Sequence, residues 1–159
     1  ASWIIDPKTF PAWEWAQETK TPIIMQLRGP SLGMLRELMD KFPGLNLLLD
    51  HASSPTLEDG YPYEELKPLM ALSDYPGLVL KVTTVNFRKA AKGNSTPQDF
   101  MKALREGFGA ERLLWGSNFP SSEGALSEHV QMALDASRDF SDAERDAFMG
   151  GNAKRIFKL

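Results

Sequence analysis

The sequence contains no cysteine among its 159 residues. This absence excludes disulfide bonds, thiolate metal ligands and a cysteine nucleophile. Neither sign of charge is in large excess, because 18 basic and 21 acidic residues leave a formal net charge of −3. The chain therefore has no general basic surface for binding nucleic acid. No apolar run approaches the roughly 20 residues of a membrane span. We therefore expect neither nucleic acid nor a membrane as a partner.

The composition that is present is typical of a globular protein, with 42% hydrophobic and 25% charged residues. This mixture excludes disorder, collagen and a coiled coil as the main architecture. No shift in composition divides the chain, so we interpret residues 1–159 as a single domain. The first ten residues lack the basic region and apolar stretch of a signal peptide, and we expect a cytoplasmic protein.

Four short apolar segments predict β-strands, and each is followed by a segment with helical periodicity. The predicted strands cover residues 23–28, 45–50, 78–82 and 113–115. The second of them, with the sequence LNLLLD, is apolar on both faces, as a buried parallel strand requires. The alternation of strands and helices is typical of an α/β fold with a parallel sheet.

Three local predictions concern the segments around this sheet. Residues 83–95 are predicted to form a long loop that carries several basic side chains. The final segment, GNAKRIFKL, predicts a short helix with Asn152 as its N-cap. His129 falls near the edge of an apolar helical stripe, and we expect it to be partly covered surface.

Two architectures fit four βα units. One is a small open doubly wound sheet, and the other is part of a (β/α)₈ barrel. A whole barrel takes about 250 residues, and four strands with two apolar faces cannot close a barrel alone. The barrel interpretation therefore requires further strands, and the absence of a starting Met leads us to expect a fragment of a longer protein.

Ligands of parallel α/β proteins bind at the carboxyl ends of the strands. This rule selects one group of side chains after each predicted strand: Gln26 and Arg28; Asp50 and His51; Thr83 and Asn86; and Asn118. His51 is the strongest candidate, because a neutral imidazole there can bind a metal, polarise a carbonyl or move a proton. Strand alternation places it on the face of Leu47 and Leu49. The alternative is a histidine that is hydrogen-bonded within a loop turn.

The other candidates also have structural alternatives. The Asn118 amide could hold a substrate carbonyl, or it could bond its own backbone in a turn before Pro120. The planar guanidinium of Arg28 could bind a carboxylate or form a surface salt bridge. Lys81 interrupts the third strand. It is a charged site residue if it faces inward, whereas its head reaches water if it faces a helix.

Several motifs of catalysis and cofactor binding are absent from the sequence. It has no nucleophile-elbow pattern G-x-S-x-G, no G-x-G-x-x-G fingerprint and no phosphate-binding P-loop. It also has no His-x-His pair, and its two histidines cannot build a histidine-rich metal site.

Four segments in this order resemble the amidohydrolase-2 family: LLLDHASSP, LVLKVTT, RLLWGSNFP and GNAKRIFKL. This family is a branch of the TIM-barrel hydrolases that includes enzymes like 2-pyrone-4,6-dicarboxylate lactonase and fuconolactonase. The resemblance runs from about Pro22 to Leu159. It implies that the chain is the carboxyl-terminal half, strands five to eight, of a TIM (β/α)₈ barrel.

The resemblance also implies roles for individual positions. The family's strand-six histidine corresponds to His51, and its strand-eight acid corresponds to Asn118. An amide cannot act as a general base or a carboxylate ligand.

The strand-five segment 25–28 lacks the metal-binding histidine of metal-dependent relatives, which favours the lactonase-like branch, whose members can work without metal. No cofactor is implied with certainty. A divalent metal, zinc or manganese, in the complete barrel stays an alternative, with His51 as a possible ligand.

The implied function is a hydrolase that acts on a small, carboxylated cyclic ester (lactone) or amide. His51 would polarise the carbonyl and Asn118 would orient water or substrate. The expected substrate-binding residues are Gln26, Arg28, Lys81, Thr83 and Asn86. A missing N-terminal half of the barrel, or a homo-oligomer, would complete the site.

Two other functions stay open. The first is a non-catalytic, degenerate barrel that binds a ligand or partner, because Asn118 replaces the acid. Its uncovered apolar interior and unpaired strand edges would then favour association. The second is a complete doubly wound domain that binds an anion.

Overall fold

The computed structural model describes residues 2–159, which form one four-stranded sheet and eight α-helices. The strands are β1 (Ile23–Met25), β2 (Leu47–Leu49), β3 (Leu78–Thr83) and β4 (Leu113–Gly116). The α-helices are α1 (Phe10–Thr19), α2 (Leu32–Lys41), α3 (Lys67–Met70), α4 (Thr84–Ala90), α5 (Pro97–Phe108), α6 (Leu126–Ala136), α7 (Asp142–Asp146) and α8 (Asn152–Phe157). A π-helical turn covers Ala147–Gly151, and short 3₁₀ turns occupy Ser2–Ile5, Pro7–Thr9, Gly29–Ser31, Glu64–Leu66 and Ala110–Arg112. Within these residues, no helix combines the length and apolarity needed to cross a membrane.

All three strand pairs are parallel, and the strands lie in the sheet in the order of the chain, β1-β2-β3-β4. The prediction of a parallel α/β sheet is confirmed. A doubly wound sheet reverses its strand order at a switch point, whereas a barrel adds each strand beside the previous one. The sequential order therefore favours a barrel segment over the doubly wound alternative.

One face of the sheet, the outer face, packs against the long helices. Its buried residues alternate along the strands and join the largest hydrophobic cluster of the described chain. The strand members of this cluster are Met25, Leu47, Leu49, Leu78, Leu80, Val82 and Leu113. Helix α2 contributes Leu35 and Leu38, and α5 contributes Phe100 and Leu104, so the predicted helical stripes are the surfaces that cover this face.

The opposite, inner face carries a second, smaller cluster of Leu48, Val79 and Leu114. Helix α8 covers it with Ala153, Ile156 and Phe157. The expectation of an uncovered apolar interior is therefore wrong for these three residues, because the end of the chain folds back over them. Ile24 lies in register with Leu48 on the same face, at the edge of the sheet, and stays 54% exposed.

The predicted loop at 83–95 contains helix α4, which the sequence analysis missed. The helix begins at Thr84, and the backbone N–H of Thr83 donates to Asn86 Oδ1 at 2.9 Å. Phe87 and Ala90 are fully buried, three residues apart. This spacing and a Thr at the N-terminus were the signals in the sequence that could have indicated the helix. The two β-branched residues at its start, however, weaken intrinsic helix propensity.

Asn152 does not cap the last helix as predicted. Gly151 precedes the helix, and Asn152 is its first residue. The buried side-chain amide donates to the carbonyl oxygens of Ala110 (2.8 Å) and Leu113 (2.9 Å). Asn152 therefore ties α8 to the start of β4, which holds α8 over the inner face.

Replacing Asn152 by Ala should lower the free energy of unfolding by about 2 kcal/mol, because two buried carbonyl oxygens lose their donor. Urea denaturation of the purified chain measures this change. Lys154→Ala, an exposed position on the same helix, is the matched control and should stay within about 0.5 kcal/mol of the wild type. Equal stabilities of the two variants would show that the amide does not hold α8.

Candidate active site

The carboxyl ends of β2, β3 and β4 bring several of the selected side chains to one edge of the sheet. His51 follows β2, and its Nδ1 lies 2.7 Å from Oγ1 of Thr83, the last residue of β3. Thr83 is paired in register with Gly116 of β4, two residues before Asn118. Three of the predicted strand ends therefore meet at the same place.

The Asn86 amide links His51 to Thr83 through a chain of hydrogen bonds. Asn86 Nδ2 donates to the carbonyl oxygen of His51 at 2.8 Å, so its Oδ1 faces Thr83. That Oδ1 accepts from both the backbone N–H (2.9 Å) and the hydroxyl (3.2 Å) of Thr83. With the hydroxyl proton directed at Asn86 Oδ1, Thr83 Oγ1 accepts a hydrogen bond from His51 Nδ1–H. His51 Nε2 is left with a free lone pair.

Asp50 and Lys81 form an ion pair beside this imidazole. Lys81 Nζ lies 3.0 Å from Asp50 Oδ1, and the two side chains are 28% and 21% exposed. Asp50 Oδ2 lies 3.8 Å from His51 Nε2, which is too far for a hydrogen bond but close enough to stabilise a positive imidazolium. Lys81 faces inward, because it lies two residues after Val79 of the inner cluster on β3 and therefore shares its face.

Gly116 makes room for the Lys81 side chain. A Cβ atom at position 116 would lie 2.5 Å from Lys81 Cε. The absence of a side chain on β4 at this point lets the Lys81 stem cross the inner face to reach Asp50.

His51 stands at the start of a left-handed turn. The φ angles of His51, Ala52, Ser53 and Ser54 are 52°, 44°, 66° and 50°. Left-handed backbone costs an L-amino acid about 1–2 kcal/mol per residue, so the surrounding contacts must stabilise the turn. Asn86 donates to the first carbonyl, of His51, and Lys89 Nζ donates to the last, of Ser54, at 3.2 Å.

This turn overturns the prediction from strand alternation that His51 shares the face of Leu47 and Leu49. Those two residues belong to the outer face, packed against helices. Strand β2 ends at Leu49, and the left-handed turn redirects His51 towards Thr83. Alternation holds only for extended backbone.

Thr83 and Asn86 do not have the surface that direct substrate binding would need. Both are fully buried, and their polar atoms bond to each other and to His51. Their position contradicts the expectation of substrate contact, since no atom of either side chain reaches solvent. They orient His51 instead.

Gln26 and Arg28 follow β1 at the edge of the sheet. Both are exposed and alternate with the buried Met25 and Leu27, as Ile24 does, so the extended backbone continues past the strand. No ion pair among residues 2–159 includes Arg28. These two side chains are available to a ligand on the inner side of the sheet.

Asn118 occupies a turn immediately after β4. Its φ is 57°, its carbonyl accepts from the Ser122 N–H at 2.8 Å, and its Nδ2 donates to Ser122 Oγ at 2.9 Å. The amide is partly exposed, and its Oδ1 is the group that could meet a ligand. In residues 2–159, no hydrogen bond joins Asn118 to His51.

His129 contradicts the expectation of partly covered surface, because it is fully buried. Its Nε2 lies 2.9 Å from the carbonyl oxygen of Glu123, in the loop that carries Asn118. The tertiary fold of that loop over α6, rather than the helical stripe, covers the ring.

The described residues do not by themselves supply a complete set of ligands for a divalent metal. Within residues 2–159 no group of three or more acidic or histidine side chains is placed to hold a metal ion. The lone pair of His51 Nε2 could bind a metal, but the neighbouring carboxylate of Asp50 is already paired with the Lys81 ammonium group. A zinc site takes at least three protein ligands.

Sequential parallel strands, helices over the outer face and a polar group at the carboxyl edge together define part of a TIM-type (β/α)₈ barrel. The protein family described as Amidohydrolase (Amidohydro_2) matches residues 1–159. The chain belongs to this family, and the resemblance found in its sequence is confirmed.

Relatives at low identity agree with this assignment. The chain is 23% identical over 166 residues to L-fucono-1,5-lactonase from Burkholderia ambifaria, covering 99% of this chain and 57% of the lactonase. It resembles the crystal structure of an amidohydrolase from Burkholderia multivorans with bound zinc (TM-score 0.79, 22% identity, 99% of this chain and 60% of that one). It also resembles that of a putative 2-pyrone-4,6-dicarboxylic acid hydrolase from Pseudomonas putida (TM-score 0.78, 22% identity, 98% and 58%). The chain thus spans about three fifths of the length of each relative.

Replacing Ser54 by Gly tests the strain in the left-handed turn. Ser54→Gly removes the steric cost of positive φ, and Ser54→Ala removes the same hydroxyl but keeps that cost. After the greater entropy of glycine in the unfolded chain is counted, we expect the Gly variant to be more stable than the Ala variant by roughly 0.5–1 kcal/mol. Urea midpoints of both variants provide the measurement, and an Ala variant at least as stable as the Gly variant would contradict a strained turn.

Proposed function

We propose that this chain carries half of the active site of a hydrolase that opens a small carboxylated lactone, with His51 as the general base. The observation that supports this most is the Asn86–Thr83–His51 network, which leaves a lone pair on His51 Nε2 at the carboxyl edge of the sheet. The lactone and pyrone hydrolases among the relatives support the substrate class.

In the proposed reaction, His51 Nε2 accepts a proton from a water molecule while the water oxygen attacks the lactone carbonyl. The negative charge of Asp50, 3.8 Å from Nε2, stabilises the imidazolium that results. When the tetrahedral intermediate breaks its ring C–O bond, Nε2–H returns the proton to the leaving alkoxide. The products are a hydroxy acid and the original imidazole.

This role differs from the one expected from the sequence. A histidine that polarises a carbonyl must donate from Nε2, whereas in the proposed network Nδ1–H donates to Thr83 and Nε2 carries the lone pair. The network therefore favours proton transfer over carbonyl polarisation.

The substrate carboxylate is proposed to meet Arg28, whose planar fork suits bidentate binding. Gln26 and Lys81 lie on the same inner side of the sheet and supply further donors. Asn118 Oδ1 is proposed to accept a hydrogen bond from the attacking water or the substrate. An amide substrate would need the same base but a protonated nitrogen as its leaving group.

We further propose that additional βα units complete the barrel around this site, either from the N-terminal half of the same protein or from a second copy of the chain. Strands β1 and β4 are the two edges of the sheet, and neither has a second neighbour among residues 2–159. Ile24, on the inner face of β1, is 54% exposed. Unpaired edges and exposed apolar side chains favour association.

Light scattering of the 159-residue chain tests the completion of the barrel. We expect a mass above the 17.8 kDa of one chain, rising with concentration, unless the remaining half is supplied. Ile24→Lys should shift this equilibrium towards the monomer, and Trp15→Lys, an exposed apolar position on α1, is the control. A chain that stays monomeric at high concentration would contradict self-association.

The full-length protein, as its gene encodes it, should open lactones in a pH-indicator assay with sugar lactones, carboxylated pyrones and cyclic amides. His51→Ala should lower kcat by about 10²- to 10⁴-fold, the range of a general base. Lys92→Ala, an exposed position on a neighbouring loop, should leave kcat unchanged. Absence of turnover on the whole panel, or an active His51→Ala variant, would contradict the proposal.

A second candidate function follows from Asn118 itself. If the amide marks a degenerate barrel, the full-length protein should bind a carboxylated lactone without hydrolysing it. Ligand-induced thermal stabilisation would reveal binding, and Asn118→Asp, which introduces a carboxylate at the same position, should then create turnover. Hydrolysis by the wild type would exclude this alternative.

A further inference from the structure

We propose that Arg88 and His129 act together as a clamp that positions the loop bearing Asn118. The loop covers residues 117–125, between β4 and α6. Arg88 comes from α4 and His129 from α6, so two helices hold the loop from two sides. Both side chains bond to one atom, the carbonyl oxygen of Glu123.

The chemistry of this carbonyl determines the role of His129. A carbonyl oxygen only accepts, so His129 Nε2, at 2.9 Å, must carry the proton. His129 Nδ1 is then an unprotonated acceptor, and it is buried with no hydrogen-bond partner among residues 2–159. A fully buried polar ring with one unpartnered nitrogen costs free energy. Within the described part of the chain, the bond to Glu123 is the one hydrogen bond of the ring.

Gly124 lies in the loop beside the two donors and the Glu128 carboxylate. Its φ is +107°, a conformation that side chains rarely adopt. A Cβ atom there would lie 3.4 Å from both Arg88 Nη2 and His129 Nε2, and 2.6 Å from Glu128 Oε2. Glu128 uses that same oxygen to accept from the backbone N–H of Ala125 at 2.8 Å. The end of the loop is thus fastened at two consecutive peptide groups.

The fastened end is connected to Asn118 through Ser122. Ser122 precedes Glu123 and is buried, and it bonds to both the carbonyl and the side-chain amide of Asn118. The ring of Phe119 also contacts the ring of His129, with centroids 6.4 Å apart. Movement of the Glu123 carbonyl would therefore be transmitted to Asn118 through two hydrogen bonds of Ser122, one to the Asn118 carbonyl and one to its side-chain amide.

Arg88 and His129 are positioning residues in this proposal, since neither lies at the group formed by His51, Asp50 and Lys81. The relevance of the clamp to catalysis rests on the proposed function, in which Asn118 meets water or substrate. The role of the clamp in holding the loop does not rest on the proposed function, because the contacts to the Glu123 carbonyl are independent of any reaction. The test therefore observes the loop directly.

Amide hydrogen exchange and the side-chain NH₂ signals of Asn118, measured by NMR on the 159-residue chain, test the clamp. His129→Leu removes the donor at similar volume, and we expect exchange at Ser122 to accelerate at least tenfold with a shift of the Asn118 NH₂ signals. His129→Gln keeps an N–H donor and should restore most of the protection. Exchange at Leu80, in the centre of the sheet, serves as the reference for global stability and should not change.

Arg88→Met provides a second route, because the Arg88 side chain is only partly buried and its replacement should leave the core intact even if His129→Leu does not fold. It should accelerate exchange at Ser122 in the same way. Unchanged exchange in either single variant, or equal acceleration at Ser122 and Leu80, would overturn the clamp.

In the full-length enzyme, a reduced kcat in His129→Leu that His129→Gln rescues would link the clamp to turnover. If the protein hydrolyses no lactone but the loop loses protection, the proposed function fails and the clamp stands.

Discussion

The buried amide of Asn86 is the interaction on which the candidate site depends. Its two ends bond to the backbone of different elements, the end of β3 and the start of the left-handed turn after β2. The same group therefore lies at the start of helix α4, holds a strained turn and contacts the threonine that bonds to His51. An amide can do this because it donates on one side and accepts on the other, whereas a carboxylate only accepts. Burial makes the arrangement stable, since any unpaired end would be costly.

Along the strands, the inner face of the sheet has an apolar part and a charged part. Leu48, Val79 and Leu114 are apolar and covered by α8, whereas Lys81 and Asp50 stand nearer the carboxyl ends and pair with each other. Opposite charges can lie on a partly buried face only when they neutralise one another. This division matches the general rule of (β/α)₈ barrels, in which one end provides stability and the other carries the site.

Most of the sheet could be predicted from the sequence because its strands are short, mostly apolar runs next to glycine or proline residues. The residues whose roles were predicted wrongly have one property in common: they form hydrogen bonds with residues far away in the sequence. Asn152 resembles a helix cap but bonds to carbonyls about forty positions earlier in the chain. Thr83 and Asn86 resemble loop residues that face a ligand, but they bond inward to His51. Local patterns predict local hydrogen bonds and carry no information about such long-range partners.

The sequence by itself determined the class of fold, the family and the strand ends at which polar side chains stand. These depend on hydrophobic periodicity and on short segments in a fixed order, which are local properties of the chain. Only the tertiary structure decided that Lys81 faces inward to Asp50, that His51 presents Nε2 and that His129 is buried beneath the Asn118 loop. Each of these outcomes depends on contacts between elements far apart in sequence, where the position of one polar atom decides which partner the next can reach.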